Sequence, residues 1–532
     1  MTPVLRATLA TLAWAVLPLA APQASAQTIL RLDEVPVGEI DPARATKSAD
    51  SMLFYNLYDT LLLPGPGGKG FASHIAESFS NEGTAFTFKL RRGVKFHSGN
   101  EVTADDVVFS LNRLIAIGAG FSPLFKGWVK QAEAIDPATV RITLSNVYAP
   151  FLAATFRLGI VDKKTVMANL ADGPFGEFKD YGQAWLNRHD AGSGAYRITA
   201  QNPQTETTME KFPGYFLGVP AKAPDRVQIN YGLEGPTEVA LARRGELDVI
   251  SQWASPETKR TVSQIKGSSV VGEVGLAEYV IKLNTKKAPL DDVHCRRALA
   301  FATDYEGLMS QANITPTIRG AKPAKGPLLD GMLGADPSLP DYAQDMAKAK
   351  AELAQCKYKP AEHEIEITWI AEVPLEERFA LLMQQNWGEL GFKTKLTRLP
   401  WVSYTQLTTK PETTPHTGQL FYNTRTPDPD GYLYNVYASN ATGQYAAAEW
   451  LQNPEIDALL DKGRSTIDLA EREKIYREIV LKIRDLQPDI FGYQIVNTYA
   501  KSERVHIPAL EDPAQNTRIM GLNFLFRQME MK

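Results

Sequence analysis

The sequence predicts a large α/β protein built from several lobes. Three observations predict it. Strand and helix signals alternate along almost the whole chain, 532 residues exceed what one ordinary core organises, and 44% apolar with 22% charged residues is a globular composition. At about 150 residues per domain, the length corresponds to three or four domains. The formal net charge is -4, from 57 Lys and Arg against 61 Asp and Glu. No basic run concentrates the positive charge, which argues against a nucleic-acid partner.

The chain opens on a leader. Within residues 1–26 a positive Arg6 precedes an apolar stretch, Ala7 to Ala21, which closes on Ala24-Ser25-Ala26 before Gln27. These small residues suit a signal peptidase. The stretch falls short of the roughly 20 residues a membrane span needs. No Cys stands at the cleavage point, so a cleaved signal peptide without a lipid anchor is expected. Export changes how the two cysteines are read. Cys295 and Cys356 either pair as a disulfide or remain two buried thiols at the apolar edges of helices, and both readings stay open.

The elements follow in order. Ile29 to Leu32 is extended and leads to a turn at Asp41-Pro42. Ser48 to Tyr58 is helical, and the breaker Pro64-Gly65-Pro66-Gly67-Gly68 is a loop without P-loop spacing. Thr84 to Leu90 alternates as a strand. Thr103-Ala104-Asp105-Asp106 opens a helix over 104–115, with Thr103 as N-cap and acidic residues in the first turn. Val129 to Ile135 and Val140 to Leu144 read as a hairpin. Strands are expected at 196–199, 205–211, 227–231, 248–251 and 279–284, with a helix at 236–244. The later part is more helical, with helices over 291–303, 342–356, 374–390, 401–410 and 467–486. Strands at 364–369, 393–397 and 418–422 alternate with them. Pro374 suits a first helical position, and Leu375, Phe379, Leu382, Met383 and Trp387 share one face.

Catalytic signatures are absent. The seven His residues form no local pair, and neither His-Glu-x-x-His, Cys-x-x-Cys nor Gly-x-Ser-x-Gly occurs. Gly192-Ser193-Gly194 comes nearest to a nucleophile elbow, but a strand follows it and a turn is the better reading. Asp105/Asp106 and Asp291/Asp292 sit at helix starts, where they serve as caps. No metal site and no cofactor are expected. Most aromatics belong to the core. Those beside Gly, Pro, Asn and Asp, as over Phe421 to Tyr434, are better placed to line a pocket.

One stretch resembles a known family. Leu90-Arg91-Arg92-Gly93-Val94-Lys95-Phe96-His97-Ser98-Gly99, then Val102 to Leu111, is similar to the signature region of the extracytoplasmic solute-binding proteins of ABC importers, in the peptide/nickel branch (family 5). Further matches follow in order: Leu57-Tyr58-Asp59-Thr60-Leu61, Gly192 to Tyr196, Leu283-Asn284-Thr285, Asp291-Asp292-Val293 through Arg297 to Ala300, and Asp428-Pro429-Asp430. The resemblance implies a periplasmic-binding-protein-like two-lobed fold of type II, with an additional subdomain in its first half. It places lobe I at 27–61, 190–285 and 491–532, the additional subdomain II at 62–189, and lobe III at 286–490. His97, Asp105 and Asp106 would be structural.

The implied function is solute capture by hinge closure and delivery to an ABC permease, by a periplasmic, monomeric protein that is not an enzyme. The alternative is an exported hydrolase using dispersed carboxylates. Relatives that bind peptides hold the amine with an Asp three positions before the Asp/Glu-Pro step, where this chain has Arg425. They also use an Arg before the helix starting near Pro374, where this chain reads Trp369-Ile370-Ala371-Glu372-Val373. Both departures favour an anionic or polyhydroxylated ligand, or a peptide held through its backbone. An internal ion pair of Arg425 with Asp428 or Asp430 is the competing reading. The expected ligand-binding residues are Trp253, Trp401, Tyr404, Phe421, Tyr422, Asn423, Arg425 and Asp428.

Overall fold

The computed structural model describes residues 27–532 apart from Lys69, Arg425 and Met520, so the expected leader lies outside the described residues. The backbone of the architecture is an 11-stranded mixed sheet. At its centre two long strands, Ser268–Leu283 and Asp489–Ser502, run antiparallel and stay paired at both ends, Ser268 opposite Ser502 and Lys282 opposite Asp489. Between Val274 and Glu278 their register shifts.

On one side of the shift the sheet continues through Val249–Ile250, Ile29–Glu34, Arg226–Tyr231, Glu206–Lys211 and Tyr196–Asn202. On the other it continues through Thr417–Asn423, Glu364–Ile370 and Lys393–Leu399. Each half carries its own helices and core, giving the two lobes. A bulge bends the strand and increases its local twist, so the shift marks where the sheet turns from one lobe into the other.

Periodicity exposed only the second half of the first long strand, at 279–284. The first half carries Gly272, Glu273, Gly275 and Glu278, which break an apolar pattern, yet Ser268 to Val274 pair with Ser502 to Val496. The expected pocket run over 421–434 also ends differently. Asp430–Tyr437 is a helix, with Tyr432 and Tyr437 fully buried in the second-lobe core.

A separate four-stranded antiparallel sheet, ordered Ala76–Glu82, Ala85–Leu90, Thr139–Leu144 and Val129–Asp136, forms a small subdomain against the first lobe. Its helix Ala104–Ile117 starts at a reciprocal cap. Asp106 Oδ2 accepts from the Thr103 amide at 2.9 Å and from its hydroxyl at 2.7 Å, and Gly118 ends the helix at φ 72°. His97 is bound through Nδ1 to Asp190 and through Nε2 to the Gly194 carbonyl at 2.9 Å. The Gly-Ser-Gly turn is a close-packing point. A Cβ on Gly192 or Gly194 would collide with the backbone of Asn56 and Leu57, while the Ser193 hydroxyl donates to buried Asp59 at 2.7 Å.

The cysteine alternatives resolve to a disulfide. Cys295 in helix Val293–Ala302 is bridged to Cys356, with Cα atoms 5.0 Å apart. A sequence separation of 61 residues gives a stabilisation of about 4 kcal/mol in the chain-entropy account. The described residues contain no helix long and apolar enough to cross a membrane.

Candidate functional site

Both lobes and the small subdomain converge where the central strands shift register. Leu276, within the shift, borders a polar cavity. Glu273, Asn497 and Arg518 line it from the first lobe, Asn423, Thr424 and Thr426 from the second, and Arg157 from the subdomain. Local structure sets the second-lobe wall. Strand Thr417–Asn423 ends in register with Ala277, and the next residue turns back, its amide donating to the Leu276 carbonyl at 3.1 Å. The Thr424 hydroxyl then bonds the Thr426 carbonyl at 2.8 Å.

The cavity measures about 20 Å³ to the centre of a water-sized sphere, room for about one water. A second cavity shares Glu273 and Asn497 and extends to Glu34, Gln252, Tyr499 and Asn523. In this conformation the lobes are shut. Arg260 of the first lobe donates to the Ile314 carbonyl of the second at 2.6 Å, and Arg378 meets Glu257 at 3.5 Å. A solute of dipeptide size needs the lobes to part before it can enter.

The chamber carries both signs of charge, Glu273 and Arg518 on its first-lobe wall and Arg157 from the subdomain, facing neutral Asn423, Thr424 and Thr426 of the second lobe. Burial pushes the Glu273 carboxyl up to about 7, against the side-chain amides of Asn523 and Asn497 that bond it. Glu34 also rises to about 7 through burial, while accepting from the Val35 amide at 3.0 Å and the Ser251 hydroxyl at 3.2 Å. The Arg157 guanidinium is buried 4.5 Å from the Phe121 ring centre, and burial lowers its pKa. Hydrogen-bonding groups of both signs around a closable space suit reversible binding of a polar solute.

Of the expected site residues, Asn423 lines this chamber. Arg425 follows Thr424 in sequence and lies outside the described residues. Asp428 is gripped at both oxygens by Arg472, each at 2.7 Å, and Asp430 by Arg464 at 2.9 and 3.0 Å. These carboxylates are therefore held by arginines much later in the chain. Tyr404 is fully buried against Gly418 in the second-lobe core, and Tyr422 is buried beside Tyr432. Phe421 packs on Tyr279 at 5.3 Å from the opposite sheet face. A strand covered on both faces buries its aromatics in both directions.

Trp253 and Trp401 are exposed, Trp253 one residue after the chamber-lining Gln252 and Trp401 edge-on to Tyr445 at 4.8 Å. Glu34, Arg157, Glu273, Asn497 and Arg518 were missed. The available signal was a lone acid inside a strand-like run, Val270-Val271-Gly272-Glu273-Val274. Among the described residues, the one grouping of metal-ligand type is Asp292 with Cys295 and Cys356, whose sulfurs are joined in the disulfide.

A two-lobed α/β fold with a polar chamber at the irregular sheet junction between the lobes defines a solute-binding protein. The chain belongs to the bacterial extracellular solute-binding proteins, family 5, whose middle-region profile matches residues 70–444. It is similar to heme-binding protein A of Haemophilus influenzae, 29% identical over 464 residues, covering 81% of this chain and 80% of that protein. It is also similar to the probable D,D-dipeptide-binding periplasmic protein DdpA of Escherichia coli, 27% identical over 456 residues, covering 82% and 83%. Among solved structures, the substrate-binding protein CtaP of Listeria monocytogenes superimposes with a TM-score of 0.80 at 21% identity, over 95% of this chain and 99% of that one. The binding protein DppA of Helicobacter pylori, in complex with peptide STSA, gives 0.76 at 21% identity, over 95% and 98%.

Proposed function

We propose that this chain captures a small polar solute, a peptide or a related anionic or polyhydroxylated compound, by closing its lobes, and delivers it unchanged to an ABC permease. One observation carries the reading: a polar chamber lined from both lobes at the junction of the two half-sheets, drawn down in this conformation to the room of about one water, so that the lobes must part to take in a solute. Closure then follows from differential affinity, because only the shut form contacts the solute from both sides. Arg425, between the chamber-lining Thr424 and Thr426, is the proposed contact to a carboxylate or hydroxyl. Asn423 is proposed beside it, with Trp253 and Trp401 as outer wall residues.

The lobes are proposed to divide in sequence at 27–61, 190–285 and 491–532 against 286–490, with the subdomain at 62–189, the parts of the two central strands beyond their register shift, Lys282 included, packing with the second lobe. The chain acts as a periplasmic monomer released from a signal peptide after Ala26, without a lipid anchor or nucleic-acid partner. A thermal-shift screen of di- and tripeptides, sugars and organic acids, followed by mass spectrometry of the recovered compound, tests this. A binder gains stability and returns the compound intact, and a hydrolase returns fragments. Arg425→Ala is expected to weaken binding of the best compound about tenfold or more, as loss of a charge-assisted contact does. Unchanged affinity removes Arg425 from the site.

A further inference from the structure

The Asp-Pro-Asp motif has a job away from the chamber. Arg464 closes helix Pro454–Ser465 of the second lobe and forks onto Asp430, Nε to Oδ1 at 2.9 Å and Nη2 to Oδ2 at 3.0 Å. One face of its guanidinium group lies 3.2 Å from the Tyr434 ring centre, in the same lobe. The guanidinium carbon is also 4.9 Å from Trp128 and 5.8 Å from Tyr148, both in the small subdomain. Those two rings are stacked, 4.2 Å apart and 9° from parallel. The Tyr148 hydroxyl donates to Asp430 Oδ2 at 3.4 Å, and the Ala149 amide donates to the Arg464 carbonyl at 2.9 Å.

We propose that Arg464 is a latch for the closed state: a cation carried by the second lobe that docks on the Trp128–Tyr148 stack of the subdomain and holds the clamp shut without touching the solute. This rests on the closure reading given above. None of these six residues lines either cavity at the junction. Parting the lobes leaves Arg464 with Asp430 and Tyr434, its partners in its own lobe, but strips it from the two subdomain rings and breaks the Ala149 hydrogen bond. The contact is therefore made in one state and absent from the other, which is the requirement for shifting the equilibrium between them. It is also mostly dry: the Arg464 side chain is 13% exposed and that of Asp430 4%. The Arg378–Glu257 pair also spans the lobes, but both its side chains are 54% exposed. Desolvation makes a cation–π contact stronger than an exposed ion pair.

The test uses the full chain without added solute. Trp128→Leu removes the docking ring and leaves the Arg464–Asp430 fork intact. Arg464→Lys keeps the charge but gives up the fork and the planar stack. Small-angle scattering reads the open–closed distribution, and amide hydrogen exchange at Ala149 reads the latch directly. Both variants are expected to enlarge the radius of gyration and to speed Ala149 exchange about 3- to 30-fold, the range for a cation–π contact between exposed and buried. Exchange in the first-lobe core should stay as in the parent protein, which separates an opened clamp from general loosening. The proposal is overturned if Trp128→Leu leaves scattering and Ala149 exchange unchanged, or if the parent protein already scatters as an open form with Ala149 unprotected. Neither readout involves a solute, so failure of the solute screen and failure of the latch are told apart.

Discussion

Each lobe buries a lysine among carboxylates, and the two lysines meet opposite fates. In the second lobe Lys282 lies 3.1 Å from Glu449 and 3.0 Å from Asp489, with Tyr437 donating to the same aspartate at 2.7 Å. Burial works against its charge, but the two carboxylates beside it win and hold the ammonium above the ordinary lysine range. Burial raises Glu449 to about 8 and pushes Glu278 well up.

In the first lobe Lys259 donates only to neutral oxygens, the Gln252 carbonyl at 2.5 Å and the Thr498 hydroxyl at 3.2 Å. Burial takes it down to about 7, with Glu238 and Glu34 pulling it only partway back. The acids around it rise as well through burial, Asp33 to about 6 and Glu238 to about 8. Direct contact therefore preserves the charge of the buried lysine, whereas carboxylates acting from a distance leave a lysine that titrates near 7.

The sharpest way to break this comparison is to remove the paired lysine. Lys282→Met leaves Asp489 buried without its cation, and chemical denaturation is expected to show a loss of about 3–5 kcal/mol. A loss below 1 kcal/mol would mean that the pair is not holding charge.

The acids predict a pH dependence of defined sign. Glu238 and Glu34 have folded pKa values above their unfolded ones, so the folded state holds more protons between about pH 4.5 and 8. Their contribution is present below the unfolded pKa and is lost as pH rises through the folded one. Lys259 opposes them. Its folded pKa lies below the unfolded value, so its contribution improves as pH rises from about 7 to 10. Glu238→Gln mimics the protonated acid. It should match the parent at pH 4 and gain on the order of 2 kcal/mol at pH 9 in thermal or urea unfolding. A gain at pH 4 equal to that at pH 9 would reverse the assignment.

The smallest effect is expected at the unpaired lysine. Lys259→Met forfeits two hydrogen bonds to neutral oxygens but removes a desolvated amine, for a net change of about 1 kcal/mol or less at pH 8. A loss as large as that of Lys282→Met would erase the contrast between the lobes.

The same division between local pattern and distant contact governed what could be read in advance. The helix at Ala104 was legible because Thr103 and Asp106 cap it three residues apart, and the hairpin over 129–144 because its alternation is local. Family membership was legible because its matching segments are short and contiguous. Asp428 was visible as part of a motif, but its partner Arg472 is 44 residues away, so its role as a ligand to arginine was not. Tyr404 and Tyr422 looked available because polar and turn-forming neighbours flank them. The strand that carries Tyr422 and packs against Tyr404 at Gly418 is covered on both faces, which a single strand's sequence does not record.

The amino-acid order alone determined the α/β class, the position of most elements and the pairing options of two cysteines. Each of these depends on residues a few positions apart or on a simple count. The tertiary structure decided which groups line the chamber, which lysine keeps its proton and which arginine reaches across the lobes. Those outcomes are set by partners such as Asp489, 207 residues from Lys282, and Asn523, 250 residues from Glu273. Desolvation and electrostatic pairing act through space, so they are fixed only once folding has brought such groups within a few ångströms.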